Sequence, residues 1–238
     1  MQLIGYKVEI GLSMKLPGQF KLFITPFICL AILALSSCQP KVQKDCGFVQ
    51  NVYGQRISWK TKSKIELVIS KDIPTQLRPA IYRAVATWEK IIGQKIFEIT
   101  EDSLKASSVP SKDGKSGIYF LSSWESDRQS EQGRTTVYWG SDQIMEADIR
   151  INALDFSYYD QEQTDLVVAA SRSGTSKAFG STDGYNFEAL ILHELGHFLG
   201  LKHSSEKGSV MGTHLSAYNN RIEPTLSDNE SVKCAYNN

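Results

Sequence analysis

The stretch that decides the fold and the chemistry reads His193-Glu-Leu-Gly-His-Phe-Leu-Gly-Leu-Lys-His203. Two of its histidines, His193 and His197, are four residues apart. On a helix they therefore lie on one face, about 6 Å apart along the axis, and can bind one metal ion together. Glu194 projects about 100° around the axis from His193, so its carboxylate can take a proton from a water beside the metal.

His203 needs a break in the helix to reach the same ion, because a continuous helix would carry it roughly 9 Å beyond His197. Gly200 supplies the break, since glycine adopts positive φ readily and often ends helices. Three neutral imidazoles leave a fourth position open, which is typical of a catalytic zinc site. The apolar run that follows Asn186 predicts a buried helix with Asn186 as its N-cap.

The full pattern of these eleven residues is H-E-x-x-H-x-x-G-x-x-H. With it the chain resembles the metzincin clan of zinc metalloproteases, and within that clan the matrixin-like bacterial members. Met211 follows His203 by eight residues and matches the methionine turn that the clan has beneath its zinc. Three segments resemble the family more weakly, and together the similarities cover residues 61–238: Ala84–Trp88, Ala147–Asn152 and Leu226–Glu230.

The resemblance implies a zinc-dependent endopeptidase that cleaves peptide bonds with a metal-activated water. His193, His197 and His203 would bind one Zn²⁺, Glu194 would act as general base, and Met211 would pack under the site without being a ligand. The implied fold is α+β: a twisted five-stranded mixed sheet with an antiparallel edge strand, an active-site helix, the methionine turn and a C-terminal helix. Two alternatives stay open: a non-catalytic zinc-binding envelope lipoprotein, and a hydrolase of cell-wall peptides.

The chain also departs from relatives of this clan. Position 213 is threonine, so the tyrosine ligand that some metzincins place two residues after the methionine is missing. His214 is the one histidine outside the motif, and a second histidine-built zinc site is therefore not expected. His214 either lines a specificity pocket or is a polar loop residue.

Periodicity predicts five strands and an early helix. The strands are expected at residues 65–69, 95–100, 117–121, 134–140 and 147–152, and the helix ends before Gly93. By analogy with the family, the fourth strand borders the cleft, and its free edge would pair with an extended peptide substrate through these residues: Thr135, Thr136, Val137, Tyr138 and Trp139. Residues 180–184 contain one carboxylate, so a calcium ion is an additional option that the sequence leaves unsupported.

The N-terminus predicts export. Lys15 and Lys21 precede an apolar run that is too short to span a membrane, so residues 1–37 are predicted to be a signal peptide. The run ends Leu35-Ser-Ser-Cys38, which resembles the bacterial lipobox and implies that Cys38 is lipidated. The alternative is an ordinary signal cleaved near Ser37. Gln39, where an Asp would retain a lipoprotein at the inner membrane, favours the outer membrane.

A polar tether is expected over residues 38–60 and a single catalytic domain over residues 61–238. Cys46 and Cys234 would remain after export, and an oxidising compartment favours a disulfide between them. A cysteine switch at Cys46, which would block the zinc, and two free thiols are the alternatives.

Charge composition limits the partners. The chain has 26 basic and 26 acidic residues, so neither nucleic acid nor an anionic lipid surface is an expected partner. The expected partners are a protein or peptide substrate and the membrane that holds the lipid. A monomer is the default expectation.

Overall fold

The computed structural model describes residues 41–60, 63–102, 110, 112–162, 166–167 and 184–236. The predicted signal peptide, Cys38 and most of the loop 180–184 lie outside these residues. The helices are α1 (Arg78–Ile92), α2 (Phe187–Phe198) and α3 (Leu226–Tyr236). The strands are β1 (Ile65–Ser70), β2 (Phe97–Asp102), β3 (Gly117–Leu121), β4 (Gly133–Gly140), β5 (Gln143–Asn152), β6 (Tyr158–Tyr159), β7 (Leu166–Val167) and β8 (Tyr185–Asn186). Within the described part of the chain, no helix combines the length and the apolar character needed to cross a bilayer.

The main sheet has five strands in the order β2-β1-β3-β5-β4. β1 runs parallel to β2 and β3, β3 runs parallel to β5, and β4 pairs with β5 antiparallel at the sheet edge. The α+β class and the antiparallel edge strand are thus confirmed. β5 begins at Gln143 rather than at 147, because Ser141 adopts φ 58° and the chain reverses immediately after Gly140.

Helix α2 packs against β4 and β5, and α1 packs against both α2 and α3. On β5, Ala147, Ile149 and Ile151 are buried in the main hydrophobic core. Pro79 stands in the first turn of α1, and Gly93 ends the helix with φ 82°. Trp88 on α1 is fully buried, and its Nε1 donates to the carbonyl oxygen of Leu192 on α2 at 2.9 Å. The first helix is therefore bonded directly to the helix that carries the metal motif.

Residues 43–59, which we call the N-terminal strap, differ from the tether expected there. Phe48 and Ile57 are buried in the core, and the amide of Val49 donates to the carbonyl of Gly200 at 2.9 Å. Cys46 forms a disulfide with Cys234 on α3, which leaves no thiol at Cys46 for a cysteine switch in this structure. The segment is polar on average, but its few apolar side chains meet a core built from distant parts of the chain.

Candidate active site

Helix α2 is enclosed on almost every side. All of its residues are buried except His193, which is partly exposed. Asn186 caps its start by accepting a hydrogen bond from the amide of Ala189 at 3.0 Å. The helix ends at Phe198, and Gly200 turns the chain with φ 102°. A Cβ at Gly200 would stand 2.2 Å from the carbonyl oxygen of Ile57, so the strap approaches the turn too closely for any other residue.

The turn brings the three histidines of the motif together. One ligand nitrogen from each of His193, His197 and His203 lies within 4.8 Å of the others. Nδ1 of His193 lies 2.8 Å from the carbonyl oxygen of Val210, and Nδ1 of His197 lies 2.8 Å from that of Leu201. A carbonyl oxygen can only accept a hydrogen bond, so Nδ1 of each ring carries the proton. Nε2 of each ring therefore keeps a free lone pair.

These lone pairs fit a cation. Nε2 of His193 and Nε2 of His197 are 3.1 Å apart, and two acceptors at that distance repel each other unless a positive charge lies between them. Burial lowers the pKa of His193 to about 4 and lowers that of His197 as well, so both rings stay neutral near pH 7. Neutral imidazoles with fixed tautomers are the form that binds zinc.

Glu194 lies next to this cluster as a buried carboxylate. Its Oε2 accepts a hydrogen bond from Oγ1 of Thr135 at 2.6 Å, which joins the helix to β4. Burial raises the pKa of Glu194 to about 7, and the bond from Thr135 opposes the rise. Such a carboxylate can accept and return a proton near neutral pH.

Met211 lies beneath the helix, as the methionine turn predicts. A Cβ at Gly196 would stand 2.2 Å from Sδ of Met211, so the glycine inside the motif leaves room for the methionine. Asp228, at the start of α3, stabilises the methionine turn. Its carboxylate accepts hydrogen bonds from Oγ of Ser209 at 2.6 Å and from the amide of Val210 at 3.0 Å. The carbonyl of Val210 in turn fixes His193.

Among the described residues, two cavities are lined by His193 or His197. The larger, of about 300 Å³, is lined by residues of the helix, the start of β4 and the wall after Met211: Ser130, Glu131, Gln132, Gly133, Leu190, His193, Glu194, His203, Gly212, Thr213, His214, Leu215 and Arg221. The smaller, of about 130 Å³, is mostly apolar and is lined by Val49, Ile57, Thr135, Val137, Trp139, His197, Gly200, Leu201, Lys202 and His203.

The candidate substrate strand therefore contacts the site in part. Thr135 donates a hydrogen bond to Glu194, while Val137 and Trp139 line the smaller cavity. Thr136 and Tyr138 line neither of these two cavities. His214 lines the larger cavity and is exposed, and its role in specificity stays a prediction.

Sequence reasoning missed several residues of the site: Thr135 as the partner of Glu194, Gly196, Asp228 and Arg221. Gly196 alone had a usable signal, because a glycine inside a buried helix indicates a close packing partner. The contacts of Thr135, Asp228 and Arg221 join distant parts of the chain, which no local pattern reveals.

The family model of the matrixins matches residues 57–237. The chain belongs to the matrixin family. This matrixin is accordingly a member of a metalloprotease family that uses a catalytic zinc, and the matched range begins inside the N-terminal strap. No curated protein matches the chain at a significant level.

Proposed function

We propose that this matrixin is a zinc-dependent endopeptidase whose general base is Glu194. One observation carries the proposal: the ligand nitrogens of His193, His197 and His203 lie within 4.8 Å of one another, and Glu194 lines the same open cavity as His193. Family membership supports the metalloprotease class.

The three histidines would hold the ion. Zinc, when bound, supplies a Lewis acid that polarises the scissile carbonyl and acidifies a water. The carbonyls of Val210 and Leu201 keep His193 and His197 in the tautomer that offers Nε2 to the metal. The protein thus holds the ligands ready before the ion binds.

Glu194 would move the proton. Its carboxylate accepts a proton from the attacking water and returns it to the leaving amine, so one residue serves both halves of the reaction. Thr135 holds Oε2 at 2.6 Å and thereby limits the rotation of the side chain. Burial excludes bulk water from the carboxylate, which strengthens its interaction with the substrate.

The free edge of β4 would bind the peptide. β4 is the last strand of the sheet, so one side of its backbone is not paired with a neighbouring strand of that sheet. An extended peptide can add there as a further strand, with its scissile bond next to the two cavities. Side chains of such a peptide would then enter the cavities.

Glu194→Gln tests this mechanism. The variant should keep its zinc and lose cleavage of a denatured protein, because the amide cannot accept the proton. Bound zinc is measured by elemental analysis and cleavage by gel, with and without chelator. Glu206→Gln, at an exposed carboxylate, is the matched control and should behave as the wild type. A Glu194→Gln variant that keeps both zinc and full activity would show that the assigned base is wrong.

The same assay separates the two alternatives. Wild-type protein that binds zinc but cleaves no protein or peptide would support the non-catalytic binding lipoprotein. Faster turnover of purified cell-wall peptides than of unfolded protein would support the cell-wall hydrolase. The endopeptidase proposal expects cleavage of unfolded protein that stops when chelator is added.

We further propose that the protein is exported and anchored through lipidated Cys38 to the cell envelope, with the outer membrane as its expected site. The lipobox resemblance Leu35-Ser-Ser-Cys38 supports the anchor. Cys38→Ser should move the protein from the membrane fraction to the soluble fraction. Unchanged fractionation would rule out the lipid anchor.

A further inference from the structure

The larger cavity beside the three histidines contains a guanidinium group that has no acidic partner among the described residues. Arg221 is half-buried in the cavity wall, and its Nη2 donates to the carbonyl oxygen of Gly212 at 3.0 Å. A guanidinium has five N–H donors. In the part of the chain that the structure describes, Arg221 makes no other hydrogen bond and no carboxylate lies within 4.0 Å of it.

The positive charge of Arg221 is only weakly compensated by negative charge nearby. Burial is the main cause that lowers its pKa, and the attraction of Asp228 opposes this. Asp228 itself is already bonded to Ser209, Val210 and Thr225.

The other charged groups of this cavity have partners or are exposed. Glu131 accepts hydrogen bonds from Nε of Arg134 at 3.0 Å and from Nη1 of Arg128 at 3.3 Å. Glu194 accepts from Thr135. His214 is exposed. Arg221 is therefore the one cation in the described lining that lacks an ionic partner.

We infer that the cavity binds an acidic side chain of the substrate, so that this matrixin cleaves next to an Asp or Glu residue. The inference rests on the proposed endopeptidase function. Leu190 and Leu215 offer apolar walls for the methylene groups, and Arg221 offers free donors for the carboxylate. A carboxylate can accept two parallel bonds from a guanidinium. An apolar side chain would instead shield Arg221 from water and give it no partner.

Matched peptides test the preference. Short quenched peptides that differ at one position, carrying Glu, Gln, Lys or Leu, are compared by kcat/KM, and the cut is mapped by mass spectrometry. Glu should exceed Gln about tenfold, a value typical of a hydrogen-bonded charge, and the cut should lie beside the Glu. A Leu preference, or a cut elsewhere, would overturn the inference.

Variants of Arg221 assign the preference to this residue. Arg221→Gln keeps a donor for Gly212 and should bring the Glu/Gln ratio near one. Arg221→Lys should keep a preference for Glu, and Arg221→Glu should favour Lys instead. Lys90→Glu, at an exposed position of α1, makes the same charge change away from the cavity lining and should leave the ratio unchanged. Each ratio compares kcat/KM for the Glu and Gln peptides with the same variant, so a general loss of activity does not affect it. An unchanged ratio in folded Arg221→Gln would contradict the assignment.

A binding measurement separates this inference from the proposed function. Zinc-loaded Glu194→Gln should bind a labelled Glu peptide about tenfold more tightly than the Gln peptide, by fluorescence anisotropy. The difference should shrink as salt is added, because it is electrostatic. Equal binding would overturn the inference even if the wild type is a protease. A wild type that cleaves nothing would overturn the proposed function, while the anisotropy ratio would still decide the inference.

Discussion

Glu194 and Asp148 are two buried carboxylic acids with the same raised pKa, about 7, and in both cases burial is the main cause. Their surroundings differ. Glu194 accepts a hydrogen bond from Thr135 and lines an open cavity together with His193 and His203. Asp148 accepts one bond from the amide of Gly117 at 3.2 Å, and its Oδ2 has no partner among the described residues. A raised pKa therefore reports burial, and the neighbouring cavity and ligands make it useful for catalysis.

The sharpest test of this comparison replaces each acid by its amide. Glu194→Gln should lose about 10²- to 10⁴-fold in kcat/KM, the range typical of a lost general base. Asp148→Asn should stay within about twofold of the wild type, because Asp148 does not line either cavity beside the histidines. Steady-state cleavage of one quenched peptide measures both. A comparable loss in Asp148→Asn would show that the two carboxylates do not differ in their importance for catalysis.

The pH dependence of stability should show the second largest effect, at Asp148. Its pKa is raised from 3.8 to about 7, so the folded state binds the proton more tightly than the unfolded state. The stabilisation is fully present below about pH 4 and is lost as the pH rises through 7. The loss in the wild type relative to Asp148→Asn should reach at most about 4 kcal/mol.

Urea unfolding of the wild type and of Asp148→Asn at pH 4 and at pH 8 measures this difference. Taking the variant as reference cancels the titration of other groups, the histidines included. A difference that does not change between these pH values would mean that the pKa of Asp148 is not raised.

A smaller effect should separate two neighbouring threonines of β4. Thr135→Val removes the hydroxyl that holds Glu194 at 2.6 Å and should lower kcat about tenfold. Thr136→Val is the matched control: Thr136 lines neither cavity beside the histidines, and its replacement should change kcat by less than about twofold. Equal kcat values for the two variants would show that Thr135 does not position Glu194.

The smallest effect is expected at the ends of the same strand. A Cβ at Gly133 would stand 3.1 Å from Oε1 of Glu194, whereas at Gly140 the nearest atom, Cε of Met145, would be 3.6 Å away. Gly133→Ala should push the carboxylate by a few tenths of an ångström and lower kcat by about two- to fivefold. Gly140→Ala should have no effect on kcat. The reverse order of effects would contradict the position assigned to Glu194.

Local spacing predicted most of the metal centre. His193 and His197 share a helix face because of the helical repeat, Gly200 turns the chain because it lacks a Cβ, and Asn186 caps the helix. Each of these features depends on residues within a few positions of one another. The strand pattern likewise predicted the sheet and its antiparallel edge, although β5 begins earlier than its hydrophobic run.

Contacts between distant segments were not predictable in this way. The strap over residues 43–59 is polar on average, yet Phe48 and Ile57 are buried and Cys46 bonds to a residue 188 positions away. The disulfide was one of three options for the cysteines. Nothing in the sequence near Asp148 indicated that its carboxylate would be buried with one oxygen unpaired among the described residues. Both its burial and its neighbours depend on packing.

The sequence by itself determined the cluster of three histidines, the proposed base beside them and the class of fold, since helical geometry and backbone conformation act over a few residues. The tertiary structure alone decided which groups surround them: Thr135 beside Glu194, Asp228 under the methionine turn, and Arg221 in the larger cavity without an acidic partner among the described residues. Desolvation and pairing depend on which distant segments meet. The motif therefore predicts where a bond can be cut, and we propose that the packing around it determines which residues are accepted beside that bond.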